Sequence, residues 1–194
     1  MAHEYYAENH DWDLTLRAAW SLCMIGQAAE VVPTGGELRE RQFSSYLGSM
    51  LLSFCAIESF SASVAFSMPT TERFGSFDFP RYVASRRFWD KLQNLCTVVG
   101  HDIDKSQGLF QTIAEMQQWR NLVTHSAPYR IESTTVADIT HAPTKLHRSL
   151  RAQEYTRKVD LAHAKKFYDA AVEYIAFLKD ASGIEPRAMA KYTV

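Results

Sequence analysis

Cysteine is scarce in this chain: Cys23, Cys55 and Cys96 are the only three in 194 residues, odd in number, far apart and set among apolar neighbours. That pattern argues against a disulfide framework or a Cys-rich zinc module, and the three read as buried thiols in a reducing compartment. Proline and glycine are few as well, six and eight, and nowhere gather with serine into a linker. One domain over residues 1–194 is therefore expected, with loose tails at about 1–10 and 184–194. Internal repeats, low-complexity tracts and a Gly-rich phosphate loop are all missing. Charge of one sign is missing too: 21 Lys and Arg stand against 22 Asp and Glu, a net −1. No general cationic field covers such a surface, which excludes indiscriminate gripping of nucleic acid but leaves room for a local basic patch. The opening M-A-H-E-Y-Y-A-E-N-H has no apolar centre and does not read as a secretory signal, so the expected location is cytoplasmic.

What is present is helical periodicity. Apolar residues make up 46% of the chain, enough for a substantial core. Leu14, Leu16, Ala19, Trp20, Cys23 and Met24 form a stripe that predicts a helix over Asp13–Val31, stopped by V-V-P-T-G-G. A second, long helix is expected from Glu37 to Ser67. Between Phe43 and Met68 its only charge is Glu58, and that length could span a bilayer. Eight serines dilute it and no basic flank marks an edge, so a buried central helix is expected, with no membrane. A third helix is predicted over Arg81–Val99 and a fourth over Lys105–His125, its inner face Leu109, Phe110, Ile113, Met116 and Trp119. Tyr129–His141 alternates and is β-branched, which suggests an extended arm or small hairpin. A last helix begins at the N-cap Asp160 and ends at Gly183 and Pro186. The fold class is all-α: an up-and-down bundle of about five helices, with the arm inserted between the fourth and the last.

The chemistry is concentrated in R-N-L-V-T-H, Arg120 to His125. Arg and His five apart occur by chance about half a time in a chain of this composition; requiring Asn directly after the Arg lowers that to about one in a hundred. On a helix Asn121 and His125 are four apart and share a face, so Asn121 is placed to hold one imidazole nitrogen and leave the other free for proton transfer. The negative end of the helix dipole favours the imidazolium form. The same pair could instead do no more than satisfy carbonyls at a helix end.

In residue type, order and placement, Arg120, Asn121 and His125 resemble the signature of the HEPN superfamily, small helical bundles of which many are metal-independent ribonucleases. The resemblance extends at the level of helix order over roughly Glu37 to Ala181. It implies an endoribonuclease that needs no cofactor and no metal, in which a histidine moves protons as the RNA 2′-hydroxyl attacks the adjacent phosphate. A guanidinium stabilises the charge that builds on phosphorus. It implies 2′,3′-cyclic phosphate products, a homodimer with two motifs face to face, a role in defence, stress or toxin-like control, and an antitoxin or regulatory protein as a further partner.

Glu58, the lone charge of its helix, needs a partner if buried; it either orients Arg120 or stands facing solvent. Basic residues after the motif, Arg130, Lys145, Arg148 and Arg151, with Arg157 and Lys158 beyond, either track a phosphate backbone or form a solvated stretch. The histidines show no metal-ligand spacing. The four tryptophans read as core or interface aromatics rather than stacking platforms. Two other readings stay open: a non-catalytic HEPN-like module that dimerises or docks a partner, and an unrelated bundle whose motif is accidental.

Overall fold

The computed structural model describes residues 5–8, 10–30, 36–124, 154–187 and 189–192. The expected arm over 129–143, and with it His125, Arg130, Lys145, Arg148 and Arg151, lies outside them. Within them the fold is an all-α bundle. Its elements are β1 (Tyr5–Glu8), α1 (Trp12–Glu30), α2 (Gly36–Ser67), a 3₁₀ turn (Met68–Thr70), α3 (Phe79–Ala84), α4 (Phe88–Val98) and α5 (Gly108–Thr124). The short α6 (Glu154–Arg157), α7 (Leu161–Ser182) and β2 (Met189–Tyr192) complete them.

The 32-residue α2 is the axis, and α1, α3, α4, α5 and α7 all pack on it. Met50, Phe54, Ile57, Phe60, Val64 and Met68 are all essentially inaccessible. Residues Glu40–Thr70 are long and apolar enough to cross a membrane, yet 61% of the most apolar window is buried inside the bundle. Two of the buried serines fit this position because their hydroxyls bond a carbonyl one turn back: Ser53 donates to Ser49 O (2.8 Å) and Ser61 to Ile57 O (2.7 Å). Ser61 also meets the Tyr174 hydroxyl of α7 at 2.7 Å, tying two core helices together. The α1–α2 contact is close. A Cβ at Gly26 would lie 2.5 Å from the Tyr46 ring, and one at Gly48 would lie 2.8 Å from Leu22.

Two expectations change here. The first-helix stripe is narrower than its spacing suggests: Ala19 and Cys23 are buried, but Leu14 is 60% and Trp20 41% exposed. Trp20 covers itself partly against Tyr168 of α7, with ring centroids 4.9 Å apart. The single third helix over Arg81–Val99 is two helices, because Ser85 and Arg87 are extended (φ −66°, ψ 127° and φ −99°, ψ 130°). The reason is reach. Phe79 packs on Phe66 and Phe88 on Phe54, sites about 18 Å apart along α2, whereas nine helical residues span only about 13.5 Å. Three extended residues supply the missing length at about 3.3 Å each.

The last helix starts and stops where its capping residues put it. The Asp160 carboxylate accepts from the His163 N–H at 2.8 Å, a cap that contributes about 1 kcal/mol, and Gly183 takes φ +70° at the C-terminal end. Beyond it the described residues continue along the bundle. Ile184 is buried, the Trp12 indole N–H donates to Pro186 O (3.1 Å), and β2 pairs antiparallel with β1.

Candidate functional site at the end of α5

Helix α5 points its motif outward from a fixed base. Phe110, Ile113, Met116 and Trp119 lie on its buried side, and Trp119, 1% exposed, meets Phe167 of α7 edge-on at 5.7 Å. Residue 120 comes about 100° further round, so the Arg120 guanidinium leaves the core at its rim. It is half-buried, 6.0 Å from the centroid of the Phe54 ring, and its Nη1 donates to Asn121 Oδ1 at 3.2 Å. The Thr124 hydroxyl donates to Arg120 O (3.0 Å) and closes the turn. The Asn121 carbonyl oxygen thus serves Arg120, a use that the helical spacing to His125 did not suggest.

Glu58 stands one turn beyond Phe54 on α2 and is half-buried. Burial pushes its carboxyl above the ordinary range, opposed by the nearby charges of Arg120 and then Lys91. Among the described residues no ion pair within 4 Å joins Glu58 to Arg120, so the coupling acts across space rather than through a bridge. Tyr82 of α3 and Cys55 of α2 feel the same group: burial raises both, the Glu58 charge raises both further, and Arg120 lowers the thiol. Lys91 of α4 places its Nζ 5.5 Å from the Tyr82 ring centroid. Four helices therefore contribute to one polar cluster: Cys55 and Glu58 from α2, Tyr82 from α3, Lys91 from α4, Arg120 and Asn121 from α5. Two cations face one carboxylate, an arrangement that attracts an anion while offering a carboxyl that protonates readily.

Lys91, Tyr82 and Cys55 were not singled out by the sequence. The one available signal for Lys91 is that it borders the apolar positions 88, 92 and 95 of an amphipathic helix. Cys55 was expected to be buried and is exposed at this rim, its thiol only partly covered; Cys23 and Cys96 are buried, and burial pushes the Cys96 thiol up to about 12. Of the expected basic run, Lys158 is already engaged. It lies 3.6 Å from Glu115 of α5, which also binds Lys166 of α7 at 2.5 Å. Burial pushes the Glu115 carboxyl up, but the Lys166 hydrogen bond and the charges of Lys166, Lys158 and His163 outweigh it and bring it below the ordinary range. Among the described residues no group of three His, Cys, Asp or Glu side chains could hold a metal.

A raised carboxyl has a consequence for stability. The folded chain holds the Glu58 proton more tightly than the unfolded chain does, so ionisation above the ordinary carboxylate value of 4.5 works against folding. Glu58→Gln is therefore expected to raise Tm at pH 7, with the gain shrinking as the pH falls through the raised value toward the ordinary one and nearly gone below it. Thermal unfolding at pH 7 and pH 4 checks this, and a variant less stable than the parent at pH 7 would contradict it. Compared with known proteins, the chain matches no family profile, no curated protein and no solved structure.

Proposed function

We propose that the chain is a metal-independent endoribonuclease of HEPN type, acting in the cytoplasm as a homodimer in defence, stress or toxin-like control. The observation that carries this reading is the half-exposed Arg120 guanidinium, held by Asn121 and Phe54 beside the Glu58 carboxyl, in the helical turn that leads directly to His125. In the reaction His125 takes the proton from an RNA 2′-hydroxyl, and that oxygen attacks the adjacent phosphorus. The bond from phosphorus to the 5′-oxygen breaks, leaving a 2′,3′-cyclic phosphate. A protonated histidine from the second copy returns a proton to the leaving oxygen, which departs as a 5′-hydroxyl. Arg120 stabilises the charge on the non-bridging oxygens. One copy of the motif holds a single histidine and so lacks a separate acid and base, which is why two motifs must share a cleft.

Glu58 acts here as a positioning group through its field on Arg120, and Glu58→Gln is expected to slow cleavage, by up to about a hundredfold if the guanidinium is displaced by an ångström. A second reading, a non-catalytic module that dimerises or docks a partner such as an antitoxin, draws on Leu122, which is 44% exposed immediately beside Asn121. Incubating purified protein with structured RNA in EDTA, beside a His125→Ala variant, separates the two. Cleavage by the parent alone supports the nuclease. Cleavage by both proteins, or by neither, rejects it.

A further inference from the structure

Residues 71–78, between the 3₁₀ turn and α3, border a cavity of about 440 Å³ against α4, within the range of about 300–1,000 Å³ usual for small-molecule sites. This loop is braced. The Phe74 N–H donates to Thr71 Oγ1 (3.3 Å), the Phe77 N–H donates to Phe74 O (2.8 Å), and Phe74 is buried. Two guanidiniums line the cavity, Arg73 from the loop and Arg81 from α3. That of Arg73 is fixed in place: its Nη1 donates to Ala181 O of α7 at 3.0 Å, and its Cζ lies 4.7 Å from the centroid of the Phe74 ring. Among the described residues neither arginine forms an ion pair within 4 Å. The one carboxylate on the wall, Asp78, is held by the backbone instead; its Oδ1 accepts the Arg81 N–H at 2.9 Å and caps α3. Helix α4 supplies an acceptor. Asn94 lines the same cavity, and its Oδ1 is shut off from solvent with no donor, one of two side-chain atoms so placed among the described residues. Asn94 and Val98 also border an adjoining groove that holds Asp90 and Gln93, so the positive end of the cavity lies at the two arginines.

We propose that this cavity binds a small organic anion that also carries hydroxyl or N–H donors, its anionic group on Arg73 and Arg81 and its donors on Asn94 Oδ1 and the Asp78 carboxylate. The excess of positive charge selects an anion, and the planar fork of arginine bonds a phosphate or a carboxylate through two N–H groups at once. Size selects more than a bare ion. One water takes about 30 Å³ in the liquid, so an inorganic ion leaves most of the cavity unfilled. Asn94 selects the donors, because a sealed acceptor without a partner weighs against the fold, and a turn of the amide brings that oxygen to a ligand N–H or O–H. A wholly apolar ligand would strip water from Arg81, Asp78 and Ser76 and return nothing. No residue of the Arg120 cluster lines the cavity, so the proposal stands apart from the ribonuclease reading.

Titration calorimetry on the full chain uses two probes with this chemistry, ribose 5-phosphate and glutamate, which separate a phosphate from a carboxylate as the anionic group. At least one is expected to saturate at one per chain. Arg81→Ala is the decisive variant, because the Arg81 side chain makes no hydrogen bond or ion pair among the described residues and its loss spares the fold. It is expected to weaken binding of the better probe about tenfold or more, and Arg81→Lys, which keeps the charge and loses the fork, recovers part of that. Asn94→Ala weakens it about fivefold. Inorganic phosphate and ribose each offer half of the chemistry and bind at least about tenfold more weakly than the better probe. Arg41→Ala, an exposed cation near the start of α2, stays within about twofold of the parent. The proposal is overturned by the lack of saturable binding of either probe up to about 10 mM, by unchanged affinity in Arg81→Ala, or by inorganic phosphate or ribose binding as tightly as the better probe.

Discussion

Alanine in place of His125 is expected to cut RNA cleavage by about 10²–10⁴-fold, the range that one positioned general acid or base supplies. Alanine in place of Arg120 removes a donor aimed at developing charge and is expected to cost about 10²–10³-fold. The losses should fall on kcat, because these contacts strengthen in the transition state. Neither variant should unfold the bundle: Arg120 sits at the rim, touching Phe54 and Asn121, and makes no ion pair among the described residues. Arg120→Lys keeps the charge but loses the fork, so it should recover only part of the rate. Single-turnover cleavage with matched thermal unfolding checks all three. A fall in Tm that accounts for the lost rate would mean the residue holds the fold rather than serving the reaction.

Trp119→Ala is the largest expected change in stability. The side chain is 1% exposed and among the largest fully buried groups of the described core, closing α5 onto Phe167 of α7. Truncating it leaves a cavity that its packed neighbours cannot fully fill, at a cost of about 3–5 kcal/mol. For a domain of this size that is a drop in Tm of about 6–20 °C. Because Arg120 is the next residue, the same change should loosen the motif, and cleavage should fall even at temperatures where the variant is folded. Trp119→Phe, which keeps an edge-on ring, should recover much of both. A loss below about 1 kcal/mol on alanine substitution would mean that α5 is not anchored as described.

The helices were legible because burial leaves a period in the sequence. The inner face of α5 and the capped start of α7 at Asp160 are where spacing and chemistry put them. The break at Ser85–Arg87 was not legible, since periodicity within one segment says nothing of how far apart its partners stand on another helix. The site divides in the same way. Arg120 and Asn121 are adjacent and carry a pattern; Glu58 stood out as the only charge in an apolar stretch. Lys91 and Tyr82 come from other helices and share no spacing with the motif, so only the packing of α3 and α4 on α2 brings them to Glu58.

The chemistry at the end of the strand tests the account most directly. RNA cut by the parent protein in EDTA should carry a 2′,3′-cyclic phosphate on one fragment and a 5′-hydroxyl on the other, and a strand with one 2′-deoxy residue should be spared at that linkage. Fragments ending in 3′-hydroxyl and 5′-phosphate, or cutting at the deoxy position, would contradict it.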